Sequence, residues 1–181
     1  MIFLPASQRA AQPWKNGGGV TREIAASPRG AGMDAFDWRV SIAEVASDGP
    51  FSVFPEIDRT LTILSGDGIA LEVDGQPHEL LPGRPFGFPG DSPASARLLG
   101  GPVTDLNVMS RRGKVAHQVT ALMAGRVLPV KEGVLVWVSG IGTVAGYPMG
   151  PLDAMQVLRP GEWIIEGEGF LAYYAAFTRL T

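Results

Sequence analysis

The sequence predicts an all-β fold, on the grounds of its composition, its alternating segments and an internal repeat. The chain of 181 residues contains 24 Gly and 15 Pro, so few stretches run long without a residue that marks a turn. Hydrophobic residues make up 45% and charged residues 18%, which argues against disorder. This length fits one large domain or two small fused domains with a real core.

The first part of the chain has the pattern of short strands separated by turns. Residues 36–45 give the clearest signal, because apolar and polar side chains alternate there. One side is Phe36, Trp38, Val40 and Ile42, and the other is Asp37, Arg39, Ser41 and Ala43. One face can therefore pack while the other lines a wet surface or a cavity. Further strands are expected at residues 2–4, 21–25, 51–54, 59–64, 68–73, 86–88 and 105–109.

An internal repeat predicts two related β-barrel halves. Residues 61–66 (LTILSG) are matched by 135–140 (LVWVSG), and residues 80–86 (LLPGRPF) by 157–163 (VLRPGEW). A strand ending in Ser-Gly, a hairpin and then an apolar-Pro-Gly turn thus occur twice. We expect the larger half over residues 1–113 and the smaller over 114–181, with 114–124 as a bridge. The pattern leaves open whether the halves share strands as one compact unit.

A glycine-rich stretch at residues 14–24 (WKNGGGVTREI) has two interpretations. Three glycines have no side chains to pack, so the backbone there either turns sharply or approaches something closely. The first interpretation is a turn between two strands. The second is a ligand-facing loop with exposed glycine N–H groups, formed by Trp14, Lys15, Asn16, Gly17, Gly18, Gly19, Thr21 and Arg22. Neither a P-loop nor a dinucleotide fingerprint is present.

Charge and composition argue against several classes of protein. The net charge of −3 and the lack of a basic run do not favour nucleic-acid binding. No apolar run approaches 18 residues and no secretory signal is recognised, so a soluble cytoplasmic protein is expected. The absence of cysteine excludes disulfides, thiolate zinc sites and cysteine nucleophiles.

The strand and turn pattern resembles the cupin barrel, which implies a double-stranded β-barrel in two tandem halves, a bicupin. Cupins carry H-x-H and then a Glu as metal ligands. In this sequence Ser52 and Phe54 stand where the two histidines would be, and Arg59 stands at the glutamate. The resemblance therefore implies a barrel without iron, manganese or zinc, and no cofactor is expected. For His78 and His117 we expect surface or structural roles.

Four blocks are similar to the HutD/Ves family of small, RmlC-like bicupins. They are WKNGGGVTREIA at 14–25, FDWRVSIAEV at 36–45, SDGPFSVFPEIDRTLTILSG at 47–66 and DLNVMSRR at 105–112. Members are often encoded beside the histidine-utilisation genes and are thought to moderate that pathway. The family often has Gly where Glu56 stands here. Because cupin sheets often pair edge to edge, the resemblance also implies a homodimer.

The polar residues of these blocks predict a pocket for a small carboxylate. Arg39 and Ser41 share one side of their strand, and Asp105 and Asn107 share one side of theirs. An arginine inside a barrel needs a carboxylate partner, and its fork suits bidentate recognition of one. The candidate side chains are Lys15, Asn16, Thr21, Arg22, Arg39, Ser41, Ser52, Arg59, Asp105 and Asn107. Trp14 or Trp38 could stack on a flat ligand, although a core role is the preferred expectation for Trp38. The family link implies urocanate or formylglutamate as ligand.

Three alternatives stay open at this point. Arg39 and Arg59 could form structural ion pairs instead, with Asp37, Asp58, Glu23 or Glu44. A metal-free cupin enzyme, an isomerase or hydrolase, would need a titratable group near neutrality, and the candidates are Asp105 and Glu23. A protein-interaction module would bind no small ligand. The absence of a plausible His base makes a binding protein the preferred interpretation over an enzyme.

Overall fold

The structure, a computed structural model, describes residues 1–180, apart from the side chain of Arg126. Within these residues the regular structure is seventeen β-strands and one short 3-10 helix, Ala6–Gln8, so the all-β prediction is confirmed. None of the described residues form a helix that is long and apolar enough to cross a membrane.

The strands, in chain order, are these: β1 (Ile2–Leu4), β2 (Gln12–Pro13), β3 (Gly19–Ser27), β4 (Trp38–Val45), β5 (Gly49–Pro50), β6 (Ile57–Ser65), β7 (Ile69–Val73), β8 (Gln76–Leu80), β9 (Phe86–Pro89), β10 (Ala94–Leu98), β11 (Val103–Arg111), β12 (Val115–Leu122), β13 (Arg126–Val130), β14 (Gly133–Val144), β15 (Tyr147–Met149), β16 (Ala154–Val157) and β17 (Gly161–Arg179).

The chain forms two compact units. One consists of residues 10–114, and the other combines residues 1–9 with the chain from Val115 onward. The internal repeat predicts residues 1–9 as part of the first half. In the structure they belong to the second unit, because β1 pairs with β16, with Ile2 opposite Gln156 and Leu4 opposite Ala154.

The unit of residues 10–114 contains two antiparallel sheets. The six-stranded sheet has the order β2-β3-β4-β11-β6-β9, and the four-stranded sheet has the order β5-β10-β7-β8. Its apolar core draws on both sheets, for example Leu61 and Ile63 from β6 with Leu71 and Val73 from β7. Burial of such side chains, at about 25 cal/mol per Å² of apolar surface, stabilises the unit.

Two predicted segments differ from the structure. Residues 51–54 are not a strand. They form an extended loop, and the Phe51 N–H donates to Ala94 O (2.9 Å) while the Phe54 N–H donates to Gly90 O (2.7 Å). The expected bridge at residues 114–124 is largely a strand, β12, which pairs with β17 along its length. The mixed polarity of these residues is that of a strand with one side more buried than the other.

The other unit contains one seven-stranded sheet, in which β14 and β17 pair at the centre. Its core includes Trp137 and Phe170, whose rings stack at 4.5 Å. The repeat matched Gly66 with Gly140, and both have positive φ, 95° and 85°. Gly66 follows the end of β6, whereas Gly140 lies inside β14 where the pairing with β17 shifts register. The same Ser-Gly signal therefore ends a strand in one unit and bends it in the other.

Candidate functional site

A polar patch lies on the inner face of the six-stranded sheet. Cross-strand partners share a face, so the registers of β3, β4, β11 and β6 show which side chains are neighbours. Three adjacent rows contain the patch: Arg39–Met109–Arg59, Glu23–Ser41–Asn107–Leu61 and Thr21–Ala43–Asp105–Ile63. Because Ala43, Leu61 and Ile63 belong to the core shared with the four-stranded sheet, the patch faces the interior of this unit.

Arg59 is the central cation of the polar patch and is only 3% exposed. Its guanidinium carbon lies 5.1, 5.5 and 5.0 Å from the ring centroids of Phe51, Phe54 and Phe88. One nitrogen donates to the Ser52 carbonyl at 3.3 Å, whereas the buried Nε has no hydrogen-bond partner among the described residues. Burial lowers the pKa of Arg59 to about 10, against the opposing field of Asp105. The site thus holds a cation with unused donor capacity.

Asp105 and Asn107 present acceptors to the same region. Asp105 is 1% exposed and Asn107 is 9% exposed. The Oδ1 atom of each is buried and has no hydrogen-bond partner in the described part of the chain. Burial raises the pKa of Asp105 to about 7, although the positive charge of Arg59 acts in the opposite direction.

Arg39, by contrast, is already engaged. Its Nε donates to Glu23 Oε2 at 2.8 Å, and a terminal nitrogen donates to Ser41 Oγ at 3.2 Å. Glu23 keeps about a third of its side chain exposed at the edge of the patch. The structural ion pair considered for Arg39 is therefore present with Glu23. The alternative of an Arg59–Asp58 pair is not, because Asp58 pairs with Arg112 at 2.9 Å.

The glycine run forms a tight turn. The Gly17 N–H donates to Trp14 O (3.0 Å), and the Gly18 N–H donates to Asn16 Oδ1 (3.0 Å). The expected exposed N–H groups at these two glycines are therefore taken up within the loop. A Cβ on Gly19 would lie 2.5 Å from Glu44 O, so close packing against β4 explains why only glycine fits there.

Gly19→Ala is therefore expected to lower the free energy of unfolding by about 2 kcal/mol or more, because a backbone oxygen blocks the new methyl group. Gly17→Asn is the matched control. Gly17 has φ 72° and nothing within 4 Å of the added Cβ, and asparagine tolerates this conformation. Urea unfolding of both variants measures the difference. Equal loss in the two variants would contradict the close-packing explanation.

Four other predicted site residues direct their side chains to solvent or to partners other than Arg59. Lys15 is exposed, and Arg22 pairs with Glu44 on the other face of β3. Thr21 lies on the inner face, but its hydroxyl accepts the Trp14 indole N–H at 2.8 Å. Ser52 contributes its carbonyl rather than its exposed side chain.

Trp38 has the core role that was preferred for it, and it does not stack in this patch. Trp38 is fully buried and alternates with Arg39 along β4, so it lies on the opposite face of the sheet. Trp14 lines a small cavity of about 10 Å³, together with Gly18 of the glycine turn and Phe51. That volume is about enough for one water molecule.

Sequence reasoning missed the aromatic surroundings of Arg59. Phe51, Phe54 and Phe88 enclose its guanidinium, but in the sequence only Phe54 was noted, at the place of a cupin histidine. Phe88 reaches the site because it pairs with Arg59 across β9 and β6. A sequence signal for this was available, since Phe51 and Phe54 precede Arg59 in the chain and Phe86 and Phe88 follow it.

These residues do not fit a metal ion. Among the described residues no three His, Asp or Glu side chains come together as ligands. A guanidinium inside a ring of phenyl groups repels a second cation and offers it no lone pair. His78 packs on Phe86 (4.6 Å between ring centroids) and His117 lies 6.4 Å from the Phe177 ring.

The family model described as HutD matches residues 6–167 of the chain. An uncharacterised 21.2 kDa protein in the hutC 3' region of Pseudomonas putida is 48% identical over 108 residues, 59% of this chain and 56% of that protein. Protein Ves of Citrobacter koseri is 44% identical over 108 residues, again 59% and 56%. Protein Ves of Cronobacter sakazakii is 39% identical over 121 residues, 66% and 65%. The matches thus span less than two thirds of these curated relatives.

Solved structures agree with the family match. HutD from Pseudomonas fluorescens SBW25 superposes with a TM-score of 0.89 at 32% identity, covering 99% of both chains. A conserved protein of unknown function from Pseudomonas aeruginosa PAO1 gives 0.85 at 28% identity, covering 97% of both. YlbA from E. coli, at 12% identity and a TM-score of 0.79, shares the fold alone. The fold is the all-β cupin type with two tandem halves.

Proposed function

Because the chain belongs to the HutD family, we propose that it binds a small carboxylate metabolite without a metal and thereby moderates histidine utilisation. The binding site is the polar patch of residues 10–114, with Arg59 as the carboxylate-binding residue. The family membership and the hut-region name of the Pseudomonas putida relative support the link to that pathway.

The observation that carries this proposal is the state of Arg59. A buried guanidinium costs free energy unless an anion pairs with it, and here one backbone carbonyl is its hydrogen-bond partner while Nε has none among the described residues. The neighbouring Arg39 is already satisfied by Glu23 and Ser41. A ligand carboxylate would supply what Arg59 lacks, through a charge-assisted hydrogen bond.

The surroundings of Arg59 suit a small, flat carboxylate. Phe51, Phe54 and Phe88 exclude water from the guanidinium, which strengthens its attraction for an anion. Urocanate and formylglutamate, two carboxylates of histidine breakdown, are the first candidates. The structure of the Pseudomonas fluorescens relative carries the description 'formate condition'. Formate is the smallest carboxylate, so we include it in the test.

A second candidate function is metal-free acid–base catalysis on such a carboxylate. Asp105 favours it, because a carboxyl group with a pKa of about 7 can exchange a proton near neutral pH. Turnover of a bound compound that is lost in Asp105→Asn, while binding persists, would establish an enzyme.

Arg59→Met is expected to abolish the stabilisation of the protein by carboxylates. Thermal unfolding of the wild-type protein is measured with formate, urocanate and formylglutamate, each with and without EDTA. A ligand at 100 times its dissociation constant adds about 2.7 kcal/mol to the free energy of unfolding. Arg22→Met is the matched control, since Arg22 lies on the other face of the sheet and pairs with Glu44.

Loss of stabilisation in Arg59→Met, with retention in Arg22→Met and no effect of EDTA, supports the proposal. A large drop on addition of EDTA would indicate a bound metal and contradict it. If no carboxylate stabilises the wild-type protein, the interaction-module alternative is preferred instead.

A further inference from the structure

The polar patch holds more unsatisfied hydrogen-bonding capacity than a carboxylate can use. Arg59 Nε is a donor, whereas Asp105 Oδ1 and Asn107 Oδ1 are acceptors, and none has a partner among the described residues. A carboxylate offers acceptors only, so it can satisfy Arg59 but neither the Asn107 oxygen nor that of an ionised Asp105. Leaving a buried acceptor unpaired costs free energy.

The register places the side chains of Asp105 and Asn107 on the same face of the sheet as Arg59. Asp105 and Asn107 are two residues apart on β11, so their side chains point to the same face. Asn107 pairs with Leu61 on β6, two residues from Arg59. The positive charge of Arg59 also acts on Asp105. The three groups therefore occupy neighbouring positions on one face of the sheet.

Other charged groups near the patch do not satisfy these oxygens. Arg39 directs its nitrogens to Glu23 and Ser41. On the facing four-stranded sheet, the residues of the shared core, among them Leu71, Val73 and Ala96, are apolar. The described residues therefore place no donor within hydrogen-bond distance of either oxygen, and a bound ligand could supply one.

We infer that the ligand of this site carries, besides its carboxylate, an N–H or O–H group that donates to Asp105 and Asn107. The inference rests on the proposed carboxylate site and narrows its ligand to a bifunctional class, an acid with a donor group a few atoms from the carboxylate. Amides, neutral imidazoles and hydroxy acids belong to this class.

Matched pairs of carboxylates test this inference. N-acetylglycine and levulinate differ in one N–H replaced by CH₂, and imidazolepropionate has a ring N–H that phenylpropionate lacks. Calorimetric titration at pH 8 keeps the imidazole neutral and the carboxylates ionised. We expect at least tenfold tighter binding of the donor-bearing member in at least one pair, because its partner leaves a buried acceptor unpaired.

Two variants locate the effect. Asn107→Leu, which removes the acceptor at nearly constant shape, is expected to reduce the preference within that pair. Thr62→Val is the control, because Thr62 also has a buried hydroxyl without a partner but alternates with Leu61 and Ile63 and so lies on the opposite face of β6. It is expected to leave the preference unchanged.

The outcomes separate the two proposals. Equal affinity within both pairs overturns the donor inference but leaves the carboxylate site intact. A preference that Asn107→Leu does not reduce overturns the assignment to this acceptor pair. No binding by any of the four acids overturns the inference together with the proposed function.

Discussion

Methionine substitutions of the two buried arginines are expected to have unequal effects on stability. Arg39→Met removes the hydrogen-bond partner of Glu23 and Ser41. Because Arg39 is buried and Glu23 is partly solvated, the free energy of unfolding should fall by about 2 kcal/mol. Arg59→Met removes a desolvated charge and places a flexible thioether among Phe51, Phe54 and Phe88. Its free energy of unfolding should stay within about 1 kcal/mol of wild type.

Urea unfolding of the ligand-free protein at neutral pH measures both changes, and the transition midpoints are compared at equal slopes. Arg22→Met serves as the control for removal of a partly exposed arginine, with an expected change below about 0.5 kcal/mol. If Arg59→Met loses as much stability as Arg39→Met, Arg59 is a structural cation and the reason for assigning it to a ligand disappears.

The sequence could not predict that Arg39 forms an internal ion pair while Arg59 keeps a donor without a partner among the described residues. Both were expected on an inner face, since strand alternation fixes which side chains share a side. The two arginines differ in the residues that contact their guanidinium groups. Glu23 reaches Arg39 because β3 and β4 pair with Glu23 opposite Ser41, while Asp58 turns to Arg112. The register between strands that are distant in the chain depends on the tertiary structure, so it cannot be read from one sequence.

The fold class was predictable because it depends on local signals. Alternation at residues 36–45, turn residues at regular intervals and the Ser-Gly repeat indicated strands without knowledge of their partners. The exchange of residues 1–9 into the other unit was not predictable, since it depends on the pairing of β1 with β16 across more than a hundred residues. The local sequence pattern determines whether a segment forms a strand, whereas long-range pairing determines which unit contains that strand.

At position 56 this chain has Glu where the HutD/Ves family often has Gly, and the backbone conformation explains the family's preference. Glu56 adopts φ 61°, a conformation that glycine favours and other residues rarely take. The frequent glycine at this place in similar sequences fits that backbone. The turn therefore persists here with a side chain, which is exposed and lies 3.9 Å from Arg111. The departure affects a turn next to β6 and not the polar patch.

Asp105→Asn is expected to make the protein more stable at pH 8 but not at pH 4. In the unfolded chain Asp105 loses its proton near its ordinary value of 3.8, whereas in the folded protein burial raises the pKa to about 7. Between these values the folded state holds a proton that the unfolded state has lost, so rising pH favours unfolding. The stability that the neutral carboxyl contributes is fully present below pH 3.8 and is lost as pH rises through about 7. Asparagine keeps the shape and stays neutral throughout.

The size of this effect follows from the shift. One pKa unit corresponds to 1.36 kcal/mol, so the variant should gain on the order of 4 kcal/mol over wild type between pH 4 and pH 8. Asp91→Asn is the control of opposite sign, because hydrogen bonds from Arg112 lower the pKa of Asp91 and its contribution is lost as pH falls. Urea unfolding across this pH range gives both curves. If the Asp105→Asn and wild-type curves run parallel, Asp105 ionises at its ordinary pKa in the folded protein. The patch would then be hydrated, and a dry carboxylate site around Arg59 would lose its main electrostatic support.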